Sequence, residues 1–385
     1  MSLKDEHYLM KTTTLFFLML GLSLLCESSV YSQKNQKKEQ KLPANPFASQ
    51  VKEHFHDWDK NHDGKINEAE SNLIITNKSV TGDQAAAILA VHYLFIKPGN
   101  SKEFTREEIL SRGAWRPTGN PGEFKGGELL GAFTSYSNKL KNINRKLFIG
   151  DPSPVGMRQG LLGDCYLIST LGALARISPD KIKDMIKEKS DGSYEVHFGD
   201  KVVITLGKLS DTEMIAGAST DGQGCWLRVM EFAFGKRKTM SLGSKNQGTK
   251  VGNPQKADFD FAVGHGGTQE EAIKALTGHQ PITLKLAKDH KQLSSIIEDS
   301  SRRITLASIY GNKNVPPGFD TGHGYAILGY DKKTKKVKVW NPHGNEFHPM
   351  GQEGMKNGFT VKSGVMEIFL DDFAKIFDQV VYEKK

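Results

Sequence analysis

The sequence predicts an α+β protein in which an all-helical module near the N-terminus precedes a larger region of mixed helices and strands. Apolar residues recur at helical spacing over 167–175, and they alternate with polar residues over 336–340, as in a strand. With 385 residues the chain is long enough for two or three domains with a substantial core. Hydrophobic residues at 37% and charged residues at 25% are typical of a globular protein.

The net charge of +8 raises the question of a nucleic-acid partner. The lysines are, however, spread along the chain, and no basic run is interleaved with aromatic residues on which bases would stack. We therefore expect no nucleic-acid binding and attribute the charge to a solvated surface.

Residues 1–32 predict a signal peptide. Met10 and Lys11 form a basic start, and the apolar run 15–26 that follows is too short to span a bilayer comfortably. The acidic Asp5 and Glu6 are unusual in a signal and favour Met10 as the true start. We expect an exported protein without stable membrane insertion after signal removal. An N-terminal membrane anchor is the alternative.

A flexible linker is predicted over residues 33–50, since this stretch is polar, rich in lysine and contains two prolines. The helical module follows over 51–112. The mixed region then occupies 113–385, after a connection rich in glycine and proline.

A twelve-residue calcium loop is predicted at 59–70. Oxygen ligands are expected at its first, third, fifth, seventh, ninth and twelfth places, which are Asp59, Asn61, Asp63, Lys65 (through its backbone carbonyl), Asn67 and Glu70. Gly64 permits the sharp turn that such loops need, and Ile66 is placed for the short strand that joins paired loops. The pattern is that of an EF-hand, with Ca²⁺ as the expected ion. A simple turn rich in Asp and Asn would require neither Ile66 nor Glu70.

A second, degenerate loop is predicted at 97–108, because EF-hands usually pair. Phe104 and Glu108 align with Ile66 and Glu70, but Lys97 and Gly99 stand where the first loop has oxygen ligands. We expect this loop to close the pair without binding calcium. A dockerin-like adhesion module is the alternative interpretation.

A candidate nucleophile, Cys165, follows a glycine-rich turn and opens an apolar helix. Backbone N–H groups at a helix N-terminus favour the thiolate, and Asp164 is placed to cap that helix. Gln159 offers a side-chain NH₂ group as a donor to an oxyanion. Two alternatives are a small buried residue in a core helix and a disulfide with Cys225.

A β-hairpin is predicted over 322–341, with a turn at 331–335. Folding it about Lys333 places His323, which opens the first strand, close to Asn341, which closes the second. The Asn341 oxygen can then accept from one ring nitrogen and leave the other facing a thiol. His343 and His348 are competing bases nearby. A cysteine on an early helix with a histidine and an asparagine on late strands fits papain-like thiol chemistry.

Three motifs resemble the protease core of the calpain family. They are Gln159–Leu167, Gly322-His323-Gly324-Tyr325 and Asn341-Pro342-His343-Gly344, and the resemblance covers about residues 113–382. Two departures stand out. His343 takes the place of the family's tryptophan after Asn-Pro, and Tyr166 takes the place of the tryptophan that commonly follows the nucleophile.

The resemblance implies a papain-like core of two subdomains, a helical half with Cys165 and a β-rich half with His323 and Asn341. It implies a calcium-binding cysteine endopeptidase whose substrates are proteins or peptides, in which Cys165, His323 and Asn341 act as the triad and Gln159 helps to hold the oxyanion. Two alternatives remain open. One is a catalytically degenerate core used as a calcium-dependent binding module, and the other is a transglutaminase-like enzyme with the same triad chemistry.

Overall fold

The computed structural model describes residues 42–385 except 98, 121–122, 246–263, 265, 287–291 and 312. The predicted signal peptide and residues 33–41 of the predicted linker therefore lie outside the described residues. The first described helix begins at Pro46, inside the predicted linker 33–50. Proline fits this first helical position because its missing N–H would have no partner there. The predicted linker boundary at residue 50 is thus several residues too late.

The N-terminal module consists of four helices and two short strands in its described part. In chain order they are α1 (Pro46–Trp58), β1 (Lys65–Asn67), α2 (Glu68–Ile75), α3 (Gly82–Ile96), β2 (Glu103–Thr105) and α4 (Arg106–Arg112). Helix α1 buries Phe47, Val51, Phe55 and Trp58, which share one helical face.

The two loops of this module meet through their short strands. β1 and β2 are antiparallel, and Ile66 lies directly opposite Phe104. Asn67 and Thr105 each start a helix with a reciprocal capping box, with Glu70 and Glu108 as the respective partners. The two loop–helix units are therefore built alike, although only the first carries the full set of oxygen side chains.

The contacts divide the chain into two compact units. The described part of the smaller one comprises residues 42–45 and 115–126 except 121–122, and its strands β3 (Trp115–Pro117) and β4 (Phe124–Gly126) pair antiparallel. The larger one comprises Pro46–Ala114 and Gly127–Lys385, so the N-terminal helices and the mixed region belong to one unit.

The first half of the mixed region is mainly helical, with two small sheets. Its elements are α5 (Glu128–Asn142), β5 (Met157–Arg158), α6 (Cys165–Ile177), α7 (Pro179–Met185), β6 (Ile186–Glu188), β7 (Tyr194–His197), β8 (Val203–Leu206), α8 (Asp211–Ala216), β9 (Ser219–Thr220) and α9 (Trp226–Lys245). β5 pairs with β9, and β6, β7 and β8 form a three-stranded sheet. Helix α6 is almost wholly buried.

The second half is built around a seven-stranded antiparallel sheet. Its elements are α10 (Gln269–Thr277), β10 (Pro281–Lys285), α11 (Leu293–Glu298), a 3₁₀ turn (Asp299–Ser301), β11 (Thr305–Ile309), β12 (His323–Asp331), β13 (Lys336–Trp340), β14 (Val361–Lys362), β15 (Val365–Phe369), α12 (Leu370–Ile376) and β16 (Gln379–Glu383). The strand order is β10-β16-β11-β12-β13-β15-β14. The α+β class is confirmed, and β12 and β13 form the predicted hairpin.

Helix α6 packs directly on this sheet. A Cβ placed on Gly172 would lie 2.3 Å from the ring of Trp340, so only glycine allows the close approach of α6 to β13. This contact fixes the N-terminus of α6 near the start of β12 and the end of β13. Among the described residues no helix is both long and apolar enough to cross a bilayer.

Polar contacts attach the N-terminal module to α8 of the mixed region. The Thr212 hydroxyl donates to the Ile75 carbonyl at 2.5 Å, Lys78 pairs with Glu213 at 2.6 Å, and the Gly82 N–H donates to Asp211 at 2.7 Å. The three residues on the module side lie within Ile75–Gly82, from the last residue of α2 to the first of α3, and their three partners are consecutive residues of α8. The module is therefore held at several points of one short helix.

Candidate functional site

The loop before Cys165 is fixed by backbone contacts on two sides. The Gln159 N–H donates to the Pro342 carbonyl, and the Leu161 N–H donates to the Ala216 carbonyl, both at 2.8 Å. A Cβ on Gly160 would lie 2.1 Å from the Ala216 oxygen, so glycine is required at this place. The loop therefore links the end of β13 to α8 and presents Cys165 at the first turn of α6.

The Cys165 thiol lies close to the start of β12. Burial raises the pKa of this thiol and the negative charge of Asp320 adds to the rise, whereas backbone hydrogen bonds from Gly324 and Tyr166 lower it. The position at a helix N-terminus predicts an acidic thiol. Instead, removal from water outweighs the helix N–H groups here, and the neutral thiol is favoured. In the described part of the chain Cys165 and Cys225 are both free thiols, which excludes the disulfide between them.

Asp164 has a different role from the predicted helix cap. Its side chain accepts no hydrogen bond from the described first-turn amides of α6, and its fully buried carboxyl lies against that of Glu231. Burial raises the pKa of both carboxyl groups, that of Glu231 to about 7. Glu231 also accepts the Ala218 N–H at 2.7 Å.

His323 and Asn341 are in direct contact. His323 Nε2 and Asn341 Oδ1 are 2.8 Å apart, and both side chains are buried. Burial lowers the pKa of His323 to about 4, the nearby charge of His343 lowers it further, and Asn341 and Asp320 act in the opposite direction. Because Nε2 is bonded to Asn341, Nδ1 is the nitrogen left for a thiol.

Two further residues complete this cluster, and sequence reasoning gave neither a role of this kind. Asp320 Oδ2 accepts from Asn341 Nδ2 at 2.8 Å and bonds to His343 Nδ1 at 3.0 Å. The bond from His343, more than that from Asn341, lowers the pKa of Asp320 to about 2. The rings of His343 and His323 stack with their centroids 4.3 Å apart. No spacing marks Asp320 in the sequence, because it lies on the loop before β12 and meets Asn341 only through the fold.

Gln159, the predicted oxyanion donor, lies on the loop before Cys165 but has another partner. Its Nε2 donates to the Leu162 carbonyl at 2.7 Å. One of the two N–H groups of this amide is thereby occupied within the loop itself. The predicted role of Gln159 therefore requires the second N–H group or a rotation of the side chain.

Cys165 and His323 line one open cleft of about 430 Å³. Its walls come from the first turn of α6, the start of α10, and β10, β11, β12 and β16 of the large sheet. The lining includes Gly267, Thr268, Gln269, Glu270, Lys285, Ser308, Tyr310 and Gln379. Charged and polar side chains such as Glu270, Lys285 and Ser308 are part of this lining, so the cleft is not a purely apolar ligand pocket.

The loop 59–70 is closed by its own carboxylates. Asp59 accepts the N–H groups of Asp63 at 3.1 Å and Gly64 at 2.8 Å, and Glu70 accepts those of Lys60 at 2.9 Å and Asn61 at 3.1 Å. Asp59 and Glu70 are buried although charged. Gly64 has a φ of +81°, as the sharp turn requires.

The donor set of this loop fits a calcium ion. Asp59, Asp63 and Glu70 each keep unused oxygen lone pairs beside the loop N–H groups that they accept, and Asn61 adds an amide oxygen. Burying two charged carboxylates is costly unless a cation or hydrogen bonds compensate the charge. In the second loop, Lys97 instead forms an ion pair with Glu128 at 2.9 Å.

Comparisons with known proteins give a distant relative. The chain matches no protein-family model. It is similar to human calpain-14, with 25% identity over 224 residues, which is 52% of this chain. The chain is thus distantly similar to a calpain over about half of its length. The chain spans about 30% of the length of this relative.

Proposed function

We propose that this protein is a calpain-like cysteine endopeptidase that hydrolyses peptide bonds in protein or peptide substrates. The observation that carries the proposal is the 2.8 Å contact of His323 with Asn341 at the edge of the cleft that also holds Cys165. The distant similarity to a calpain supports the same reaction class.

In this mechanism His323 acts as the general base for Cys165. Asn341 holds the Nε2–H tautomer, so the Nδ1 lone pair is available to take the thiol proton as sulfur attacks the carbonyl carbon. Burial favours the neutral thiol and neutral imidazole in the free site. Proton transfer therefore accompanies attack. The imidazolium then returns the proton to the leaving amine, and water releases the acyl group.

The oxyanion is held by the Cys165 backbone N–H at the N-terminus of α6 and by the Gln159 amide. For this role the Gln159 side chain either leaves the Leu162 carbonyl or uses its second N–H. Asp320 and His343 act indirectly. Asp320 orients the Asn341 amide and His343 shields one face of the His323 ring, where the calpain family has tryptophan.

We further propose that Ca²⁺ binds the loop 59–70 through Asp59, Asn61, Asp63, the Lys65 carbonyl, Asn67 and Glu70. If the protein is exported, calcium is abundant outside the cell and would keep this loop filled, which favours a structural role. Export rests on residues 10–32 and is tested by N-terminal sequencing of the secreted protein. A mature N-terminus near residue 33 is expected.

Peptide hydrolysis is tested with a denatured protein substrate in calcium under reducing conditions, counting new N-termini by mass spectrometry. Wild type and Cys225→Ala should cleave it, whereas Cys165→Ala should not. Cys225 is a buried thiol, so its variant controls for loss of a cysteine as such. Incorporation of an amine without cleavage would contradict hydrolysis and favour the transglutaminase-like alternative.

A calcium-dependent binding module is the second candidate function. The bond from Gln159 to Leu162 favours it, because an occupied oxyanion donor is what a degenerate site would show. Absence of cleavage by wild type, together with calcium-dependent retention of the same substrate on immobilised protein, would select this alternative.

A further inference from the structure

Asp320, His323 and His343 form a group of three metal-ligating side chains beside the cleft. One ligand atom from each lies within 4.8 Å of those of the other two. Two imidazoles and one carboxylate are a donor set typical of zinc, and the imidazoles disfavour calcium, which prefers oxygen ligands. We propose that these three residues form a Zn²⁺ site that blocks the histidine of the thiol site.

The geometry requires only a small closure. Zinc holds its ligands at about 2.0–2.2 Å, which places tetrahedral ligand atoms roughly 3.4 Å apart. His343 Nδ1 and Asp320 Oδ2 are already 3.0 Å apart. The His343 side chain is 44% exposed, so its ring can turn toward the ion without disturbing the core.

The nitrogen that His323 offers on this side is Nε2. Asn341 joins the two groups, since its Oδ1 bonds to Nε2 and its Nδ2 donates to Asp320 Oδ2. A zinc ion bound to Nε2 replaces the hydrogen bond to Asn341. The neutral ring then carries its proton on Nδ1.

This change of tautomer accounts for the block. In the proposed function, His323 accepts the thiol proton through a lone pair on Nδ1. A proton bound to Nδ1 removes that lone pair. Inhibition by this route rests on the proposed function, whereas zinc binding does not. His343 is essential to the site, so a chain with tryptophan at this position would lack it.

Zinc binding is measured by calorimetry on the Cys165→Ala variant, because this change removes the rival site formed by the thiol and an imidazole. Saturating calcium is present so that zinc does not bind the loop 59–70. We expect one zinc site, weakened at least about 100-fold by adding His343→Phe or Asp320→Asn, since even outer partners of a metal change affinity 10–100-fold. The exposed His348→Phe in the same background is the control and should bind as tightly as its parent. Equal affinity in His343→Phe, or no zinc site at all, would overturn the proposal.

Zinc inhibition is measured separately, as the zinc concentration that halves each variant's own rate of peptide cleavage. His343→Phe should need at least about 10-fold more zinc than wild type. A wild type without cleavage would contradict the proposed function and leave the calorimetric result standing. Cleavage that is equally sensitive in both proteins would show that zinc acts at the thiol and would overturn the proposed block.

Discussion

The loop 59–70 and the thiol site differ in the surroundings that they give to buried ionisable side chains. In the loop, Asp59 and Glu70 are ionisable groups from one short stretch of sequence, and backbone N–H groups of the same stretch surround them. In the thiol site, Cys165 lies far along the chain from the hairpin that holds His323 and Asn341, and burial favours the neutral forms of Cys165 and His323. The first arrangement suits the binding of a cation, and the second suits proton transfer.

The two regions are connected through α8. The segment between α2 and α3 bonds to Asp211, Thr212 and Glu213, and the carbonyl of Ala216 at the other end of α8 accepts the Leu161 N–H of the nucleophile loop. These contacts form a continuous path from the N-terminal module to the loop that presents Cys165.

The largest expected effect is the loss of calcium binding in Glu70→Gln. This change keeps the side-chain size but removes one charge and the bidentate ligand, so calcium affinity should fall at least about 100-fold. Calorimetry measures it, with Glu108→Gln of the second loop as the matched control. A comparable loss in Glu108→Gln would contradict the difference between the two loops.

A loss of activity is expected from Asn341→Ala. The His323 ring would lose its orienting acceptor, and kcat/KM for peptide cleavage should fall about 10–100-fold, since a general base contributes about 10²–10⁴-fold in total. Asp320→Asn should cost less, because Asn341 keeps its contact with His323. A larger loss in Asp320→Asn would place Asp320 in the reaction itself.

A change in pH-dependent stability is expected from Glu231→Gln. Burial raises the pKa of Glu231 to about 7 from an unfolded value of 4.5, so wild-type stability falls as pH rises through that window. The neutral variant avoids this loss and should be about 1–3 kcal/mol more stable at pH 8, with little difference at pH 4. Urea unfolding at both pH values measures this. Destabilisation at pH 8 would contradict a pKa of Glu231 raised by burial.

The smallest expected effect is a shift of the acid limb of the pH–rate profile. His323 must be neutral to accept the thiol proton, and its pKa of about 4 places the acid limb of kcat/KM near that pH. His343→Phe removes the charge that lowers the pKa of His323 and leaves Asp320, which raises it. The limb should therefore move upward, by less than about one pH unit. Cleavage in calcium buffers depleted of other metals measures it, and a downward shift would contradict this account.

Sequence reasoning predicted the elements and contacts whose residues are close along the chain. The opposition of Ile66 and Phe104, the turn of the β12–β13 hairpin and the helix that begins at Cys165 all follow from local patterns. The contact of Asn341 with His323 followed because one hairpin holds both residues.

Contacts made only by the tertiary fold escaped sequence reasoning. Asp164 has the residue type and position of a helix cap, yet its carboxyl pairs with Glu231 of α9, which no spacing reveals. Likewise, the acidity of the Cys165 thiol depends on how deeply the sheet buries it, and a helix N-terminus in the sequence gives no measure of that burial.

The most direct test of the central claim is alkylation of the full chain with an epoxysuccinyl probe, with and without calcium, followed by peptide mapping. Cys165 should be labelled at least about 100-fold faster than Cys225, and His323→Ala should lose most of that labelling because the base activates the thiol. Equal labelling of the two cysteines, or none at Cys165 in calcium under reducing conditions, would contradict a functional Cys165–His323 pair.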